Sequence, residues 1–383
     1  MQSADFDSAT YIDSNVQLAA YCQNWARQHW LALDTEFIRT NTFYPRLGLL
    51  QIADESGYYL ADPLAIDDWT CFTNLFADSG IRFVLHSCSE DLNLFTSFFG
   101  QLPISLFDTQ LAAAFLGSGF SLSYQALVED LLEVELPQSQ TRSDWLHRPL
   151  SPQQLRYATA DVAHLLEVSR QQFSQLEQRN LLQWFEADCA AILKQAQLAE
   201  QPASWQGIYT GISNAWRLND DALKKLQRLC VWREQEARYR DKPRSWIAKD
   251  GELLLIAREL GSGQTELDRL YELDLDRRML SRYGKKIIDA MEDESLASEL
   301  PDRSELSLPL TSAERKLLKA CQSLTQERAS QYGMAPEVLG RKRWLMELIH
   351  YHRQHGTIDK SHWQQDWRVQ ILNPELNAIF GQQ

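Results

Sequence analysis

The segment from Leu31 to Phe37 combines an apolar strand with two carboxylates, and this combination limits the folds open to the chain. Leu31, Leu33 and Phe37 are apolar, as expected for a strand inside a sheet. Side chains alternate between the two faces of a strand, so Asp34 and Glu36 point to the same side. A carboxylate without a partner is costly in a core. The segment is therefore either a strand that ends in solvent or one that offers two ligands to a cation.

The segments around this strand predict a domain of strands and helices. The further predicted strands are residues 47–53, 58–62, 82–86 and 105–108, with residues 11–12 as a short edge strand. The predicted helices are residues 14–27, 69–76, 89–99, 109–116, 123–131 and 151–176. A hairpin turn at residues 54–57 gives the sheet an antiparallel start. We expect an α/β fold with a mixed sheet flanked by helices.

The second half of the chain predicts helices and no strand. Residues 201–204 form a Pro-containing linker, after which a helical module spans about residues 214–293. We expect its last helix to open at Tyr283, in the segment Tyr-Gly-Lys-Lys. A second linker at residues 306–309 precedes a looser helical set, which we interpret as a degenerate repeat of this module.

Charge is distributed unevenly between the two halves. The formal net charge is −14, yet residues 1–200 hold 25 acidic and 10 basic side chains while the remainder holds 27 and 28. An acidic half suits divalent cations, and a more balanced half can approach a polyanion. A solvated helical surface gives the same count, so charge alone does not decide between these interpretations.

Cysteine usage and the lack of long apolar segments indicate the compartment. The six cysteines are scattered and include no C-x-x-C pair. This pattern argues against a zinc site and against a disulfide framework, and it favours a reducing compartment. The amino terminus is acidic and has no apolar signal segment, and no run of about 18 apolar residues occurs. We expect a cytoplasmic protein with no membrane span, and the sequence indicates no obligate protein partner.

Three more side chains join Asp34 and Glu36 in a pattern typical of phosphodiester hydrolysis. Asp91 lies in the first turn of a helix that starts where a predicted strand ends, a place where α/β proteins build their sites. Tyr157 and Asp161 are four residues apart on one helix face. Carboxylate oxygens hold Mg²⁺ or Mn²⁺. Two such ions clamp the attacking and leaving oxygens of an in-line displacement.

Each of these side chains also has a simpler interpretation. Tyr157 and Asp161 can form an exposed pair on a helix, and Asp91 can be an acid that the helix dipole favours. A phenol with an ordinary pKa near ~10 is a poor general base, so the role expected of Tyr157 is to orient the attacking water. The presence of all five side chains in one sequence favours the catalytic interpretation.

These motifs resemble those of the DEDD superfamily of 3′–5′ exonucleases. The three motifs are Asp34-Thr-Glu36, Asp91 within His86-x-x-x-Glu-Asp-Leu, and Tyr157-x-x-x-Asp161. The tyrosine resembles that of the DEDDy branch, and the nearest likeness is to the ribonuclease D family. The helical module resembles an HRDC domain. The resemblance implies an RNase H-like exonuclease domain at residues 1–200, an HRDC domain at 212–295 and a second, degenerate HRDC-like domain at 310–383.

The resemblance also implies a role for each motif residue. Asp34, Glu36 and Asp161 are expected to hold one divalent ion, with Asp34 bridging to a second ion that Asp91 reaches directly or through water. Tyr157 is expected to position the nucleophile. All five motif positions are present in this sequence.

Further side chains are expected to contact nucleic acid. These are Phe37, His86, Arg142, Lys224, Lys225, Lys285 and Lys286. The lysines fit a solvated helix face equally well, and a histidine at a strand end often serves packing. The loop that holds Arg142 and Arg148 can grip RNA, or it can simply anchor itself through a buried Trp145.

The expected activity is that of a 3′–5′ exoribonuclease with two Mg²⁺ or Mn²⁺ ions. The resemblance implies trimming of 3′ ends of tRNA precursors and other structured RNAs, with release of 5′-mononucleotides. Two alternatives stay open: a DNA-directed 3′–5′ exonuclease, and a non-catalytic RNA-binding protein with the same fold. No G-x-x-x-x-G-K-[ST] motif occurs, so the sequence indicates no attached helicase.

Overall fold

A computed structural model of the chain describes residues 6–138, 140, 143–261, 266–297, 299–358 and 367–381. In these residues one mixed sheet contains β1 (Thr10–Ile12), β2 (Trp30–Ile38), β3 (Arg46–Ala53), β4 (Tyr58–Ala61), β5 (Arg82–Leu85) and β6 (Leu106–Asp108). The strand order is β1-β4-β3-β2-β5-β6, with β3 antiparallel to both neighbours and the other pairs parallel. β2, which carries Asp34 and Glu36, therefore lies inside the sheet.

Helices cover both faces of this sheet. They are α1 (Asn15–Trp25), α2 (Thr70–Phe76), α3 (Ser89–Phe99), α4 (Thr109–Leu116), α5 (Tyr124–Leu132), α6 (Pro152–Ala163), α7 (Leu165–Gln178) and α8 (Leu182–Ala199). The side chains of Ser14, Ser123 and Ser151 cap α1, α5 and α6. The predicted mixed sheet with flanking helices is confirmed.

The long helix predicted from Ser151 to residue 176 is wrong, because it is two helices that meet at His164. The backbone of His164 departs from regular helix angles, with φ −110° and ψ −1°. Its N–H donates to the hydroxyl of Tyr124 at 3.2 Å. This break lets α6 cover one sheet face while α7 packs against α4.

The rest of the described chain is helical. It contains α9 (Asp220–Arg240), α10 (Arg244–Ile247), α11 (Asp250–Glu259), α12 (Glu266–Glu272), α13 (Arg277–Glu292), α14 (Ser312–Tyr332), α15 (Pro336–Leu339), α16 (Lys342–His355) and α17 (Arg368–Gly381). The predicted helix start at Tyr283 is wrong. α13 begins two turns earlier, because the carboxylate of Asp276 caps it by accepting from Arg278 and Met279. Of the linker predicted at residues 201–204, all but the first residue belong to a 3₁₀ segment, Pro202–Gly211, which packs against α9.

Two hydrophobic cores organise these elements. Helices α9 to α13 enclose a core of their own, which also takes up Phe43 from the loop after β2. Apolar side chains of α14 to α17 join the core of the sheet domain instead, among them Leu317, Leu345 and Phe380. Among the described residues no helix is both long and apolar enough to cross a membrane.

Candidate active site

Asp34 and Glu36 lie on the sheet face that α6 covers. In the antiparallel pair of β2 and β3, Glu36 stands opposite Leu49, and Leu49 packs against Tyr157 of α6. Directly opposite residues of such a pair point to the same face. Glu36 is 8% exposed, so its carboxylate is almost out of contact with water. The predicted alternative of a strand ending in solvent is therefore not observed.

Helix α6 brings Tyr157 and Asp161 over these two carboxylates. The Pro152 start and the reciprocal hydrogen bonds between Ser151 and Gln154 fix the first turn of the helix. A hydrogen bond joins the side chain of Tyr157 to the Asp161 carboxylate. The phenol and the carboxylate thus face the site together, as the spacing of four residues predicts.

Asp91 reaches the site from the start of α3. The turn before this helix is held by Asp108, whose carboxylate accepts from the backbone N–H groups of Ser87 and Cys88. The hydroxyl of Thr35, on the opposite face of β2 from Asp34, donates to Asp91 at 2.5 Å. β2 therefore carries Asp34 and Glu36 on one face. From its other face, Thr35 holds the carboxylate of Asp91 through a hydrogen bond.

Burial raises the pKa of all four carboxyl groups, and repulsion from the other site carboxylates adds to this at Asp34 and Glu36. Burial, and then the charges of Asp161 and Asp91, raise the pKa of Glu36 to about 9. The pKa of Asp34 rises well above its usual range through burial and the same two charges, with Glu36 adding to them. Burial also raises the pKa of Asp91 and of Asp161 to about 7, against the hydrogen bonds from Thr35 and Tyr157. The four groups are therefore mutually destabilising as anions, which a bound cation would reverse.

The donor set suits a hard divalent cation. In the part of the chain that the structure describes, no three Asp, Glu, His or Cys side chains already form a complete ligand set. Oδ2 of Asp161 is nevertheless buried without a hydrogen-bond partner. Carboxylate oxygens are the ligands that Mg²⁺ and Mn²⁺ prefer. Such an ion would supply both the missing partner and the compensating charge, so the residues fit it.

Residues 143–151, which we call the bracing loop, pack against one side of this site. Trp145 is fully buried, and its ring centroid lies 6.3 Å from that of Tyr157. Arg148 donates to both oxygens of Asp62, at 2.6 and 2.7 Å, and to the carbonyl oxygen of Gly48. Trp145 and Arg148 therefore anchor the loop, as the simpler interpretation proposed. Arg142 lies outside the described residues.

The remaining predicted contacts with nucleic acid fall into two groups. Near the carboxylates, His86 uses both ring nitrogens internally, on Thr109 and on the carbonyl of Leu122, and Phe37 packs half-buried against the core. In the helical domain, Lys225 donates to the carbonyl of Leu260 and Lys286 pairs with Glu236. Lys224 is half-buried and Lys285 is exposed.

Three residues at the site were missed by sequence reasoning. Thr35 orients Asp91, and Gln51 lies opposite Asp34 in the sheet. The third is Tyr124, whose pKa is raised mainly by burial and further by the charges of Asp161 and Asp34. Strand alternation hid Thr35, because it points away from the carboxylates flanking it. The register that pairs Gln51 with Asp34 is a long-range property, which the hairpin turn alone does not determine.

The chain matches two family models in the order that the fold displays. The model of the 3′–5′ exonuclease covers residues 9–177, and that of the HRDC domain covers residues 222–291. Ribonuclease D of Pseudomonas paraeruginosa is 37% identical over 370 residues, which are 96% of this chain and 97% of that protein. Ribonuclease D of Escherichia coli is 33% identical over 342 residues, 89% of this chain and 90% of that protein.

The fold agrees with these sequence relationships. The crystal structure of Escherichia coli RNase D, described as an exoribonuclease involved in structured RNA processing, superposes with a TM-score of 0.85 and 31% identity. The superposition covers 98% of this chain and 99% of that chain. The chain therefore belongs to the ribonuclease D family and is a 3′–5′ exoribonuclease with a carboxyl-terminal HRDC domain.

Proposed function

We propose that Asp34, Glu36, Asp91 and Asp161 hold two divalent ions, Mg²⁺ or Mn²⁺, at which the chain removes 5′-mononucleotides from RNA 3′ ends. Members of this exonuclease family generally depend on divalent metal. The observation that carries the proposal is the convergence of four carboxyl groups, two of them buried and two half-buried, each with a raised pKa. When bound, the ions supply the charge that activates the nucleophile and neutralises the leaving oxygen.

The protein side chains divide the remaining work. The charges of Asp161, Asp91 and Glu36 all act on Asp34, so it is the ligand proposed to be shared by both ions. Tyr157 orients the attacking water by hydrogen bonding, since a phenol with a pKa near ~10 does not remove a proton readily at neutral pH. Thr35 keeps the Asp91 carboxylate turned toward the site.

We propose tRNA precursors and other structured RNAs as substrates. The support is the description of the Escherichia coli relative as acting in structured RNA processing, together with the HRDC domain. Lys224 and Lys285 are the proposed phosphate contacts in the helical domain, since Lys225 and Lys286 already bind protein groups. Free thiols at all six cysteines support a reducing compartment, and we infer the cytoplasm.

We propose domain boundaries at residues 1–200, 212–295 and 310–383, with the last a degenerate HRDC-like unit. Its apolar side chains share the core of the sheet domain, so its proposed task is to support that domain. Deleting residues 212–383 would expose this core. Point substitutions in the full chain are therefore the sounder way to test the helical part.

The decisive experiment compares digests of 3′-labelled and 5′-labelled oligoribonucleotides with Mg²⁺ or Mn²⁺, with and without a chelator. A 3′–5′ exonuclease releases the 3′ label at once as a mononucleotide and shortens the 5′-labelled strand stepwise. Asp34→Asn and Asp161→Asn are expected to abolish both. Unchanged degradation by these variants would show the catalytic assignment to be wrong. A matched DNA oligomer in the same assay distinguishes an RNA-directed from a DNA-directed enzyme.

The proposed phosphate contacts are tested by the salt dependence of binding. Lys224→Ala and Lys285→Ala should weaken binding of a structured RNA and lower the slope of log K against log salt by about 1 each. Lys194→Ala, an exposed lysine on α8, is the control and should leave the slope unchanged. An unchanged slope in all three variants would remove these lysines from the RNA interface.

A further inference from the structure

Gln51 on β3 is a buried amide that has no partner among the described residues. Its side chain is fully buried, and neither Oε1 nor Nε2 forms a hydrogen bond with any of them. An unsatisfied buried polar group costs about 1–3 kcal/mol. An apolar side chain of the same length would avoid this cost, so the amide at this position requires an explanation.

The sheet register places this amide beside the carboxylates. Gln51 stands opposite Asp34 of β2 on one side and opposite Leu60 of β4 on the other. Directly opposite side chains share a face, with Cβ atoms about 4.5–5.5 Å apart. Leu60 packs against Tyr157 in the layer between the sheet and α6. The amide of Gln51 therefore lies in the layer that also holds Asp34 and Asp161.

Its neighbours show why a purely structural role is a poor explanation. Leu49 and Leu60 lie on the same sheet face and are buried apolar side chains in contact with α6. Gln51 interrupts this apolar surface at the one position that faces Asp34 across the strands. A second buried oxygen, Oδ2 of Asp161, also lacks a partner in the same layer.

We propose that Gln51 is a positioning residue for the metal-binding carboxylates. When the ions are bound and Asp34 is ionised, Nε2 of Gln51 donates to the Asp34 carboxylate, a hydrogen bond that the structure without ions does not contain, and turns the other oxygen of that group toward the ions. An amide orients a carboxylate without bringing a positive charge that would compete with a cation, which an arginine or lysine would do. The inference rests on the proposed function, since it assigns Gln51 to the ligand shared by both ions.

The test measures Mn²⁺ binding directly, by calorimetric titration of the full chain without RNA. Gln51→Met keeps the side-chain length and removes the amide, and Gln51→Asn keeps the amide but shortens its reach. Loss of such an outer contact to a ligand typically costs 10–100-fold in metal affinity. Both variants should show a loss in this range, with a lower kcat and an unchanged KM for an oligoribonucleotide.

A matched control separates positioning from stability. Gln227 on α9 is a buried glutamine of the helical domain, and its Nε2 donates to the carbonyl of Gln206. Gln227→Met should lower the melting temperature and leave Mn²⁺ affinity unchanged. Gln51→Met should lower Mn²⁺ affinity and leave the melting temperature at the parental value, because it removes an amide that makes no hydrogen bond to any described residue.

Asp34→Asn distinguishes failure of this inference from failure of the metal site. If Asp34→Asn loses Mn²⁺ binding while both Gln51 variants bind like the parent, the positioning role is wrong and the metal site stands. If Asp34→Asn binds Mn²⁺ like the parent, both the proposed metal site and the proposed role of Gln51 are wrong. Weaker binding by both Gln51 variants with parental melting temperatures supports the inference.

Discussion

Thr35 on β2 contributes to the candidate site from the strand face opposite to that of Asp34 and Glu36. Its hydroxyl donates to Asp91, while Asp34 and Glu36 on either side of it point toward α6. The three consecutive residues thus fix three of the four carboxyl groups at once. This explains why a single strand can organise a site whose other ligands come from two helices.

Thr35→Val is expected to reduce activity without unfolding the protein. Valine keeps the shape of threonine, but Asp91 loses its hydrogen bond, and loss of such a contact costs about 10–100-fold in activity or metal affinity. Oligoribonucleotide hydrolysis and Mn²⁺ titration measure the effect. Thr325→Val is the matched control, since Thr325 is buried on α14 and bonds only the carbonyl of Cys321. Equal activity losses in both variants would assign the effect to stability rather than to Asp91.

The raised pKa values predict how divalent affinity depends on pH. Asp91 and Asp161 have a pKa of about 7 and Glu36 of about 9, so the metal-free site holds protons that a cation must displace. Mn²⁺ affinity should rise as pH increases from about 6 to 9. The same groups stabilise the metal-free fold at low pH, and this contribution is lost progressively as pH rises from about 4 to about 7 for Asp91 and Asp161 and to about 9 for Glu36. Melting temperatures with and without Mn²⁺ should therefore diverge with increasing pH, and parallel curves would contradict the assignment.

At the scale of elements, an irregularity in the β2–β3 pair makes room for the bracing loop. The register shifts between Glu36 and Phe37, which leaves Gly48 without a partner residue across the pair. A Cβ at this glycine would meet both the Cβ and the carbonyl oxygen of Trp145 at 2.7 Å. The missing side chain at Gly48 thus allows the loop to lie directly on the sheet beside Tyr157.

Gly48→Ala is expected to destabilise the fold and lower activity. Trp145 is fully buried and cannot move aside, so overpacking should cost about 1–3 kcal/mol in the free energy of unfolding. Displacement of Trp145 should also disturb Tyr157 and reduce kcat. Denaturant unfolding and oligoribonucleotide hydrolysis measure the two effects. Gly57→Ala is the control, because an added Cβ there meets only the hydroxyl of Tyr59, at 3.9 Å. Parental stability in Gly48→Ala would show that the contact is not tight.

The elements that the sequence predicted well are those whose signals are local. Apolar strands and Ser caps located most strands and helix starts to within a residue or two, and the spacing of Tyr157 and Asp161 placed both on one face. The break at His164 was not predictable, because the hydroxyl of Tyr124 that receives its N–H comes from another helix. The role of Gln51 likewise depends on register, which no local pattern specifies.

At the scale of the whole molecule, the two helical units attach to the sheet domain in different ways. The carboxyl-terminal unit packs on it through a shared core, with Arg368 donating to Asp188 of α8 and to the carbonyl of Val338. Ala335 also donates its backbone N–H to the carbonyl of Ala114. The sequence predicted a looser helical set in this part of the chain, but not that its apolar side chains would join the core of the sheet domain.

The HRDC unit attaches instead through residues 39–45, the loop between β2 and β3. Phe43 enters the core of this unit, and the backbone N–H groups of Phe43 and Tyr44 donate to Asp241 at 2.9 and 3.0 Å. Arg39 of the same loop donates to the carbonyl of Phe43 and pairs with Glu90, which precedes Asp91. One short loop therefore links the HRDC unit to the two elements that carry Asp34, Glu36 and Asp91.

Phe43→Ala is expected to uncouple the HRDC unit from the rest of the protein. The phenylalanine is buried, and the guanidinium of Arg238 lies 4.6 Å from its ring centroid, so its removal should cost about 3–5 kcal/mol. Because helices α9 to α13 have their own core, calorimetry should show their unfolding as a transition separate from that of the sheet domain. The rate on a structured RNA should fall more than the rate on a dinucleotide, since the carboxylates stay in place.

Phe98→Ala, at an exposed phenylalanine of α3, should leave both the transition and this rate ratio unchanged. A parental unfolding profile in Phe43→Ala would mean that the two units are held together by other contacts.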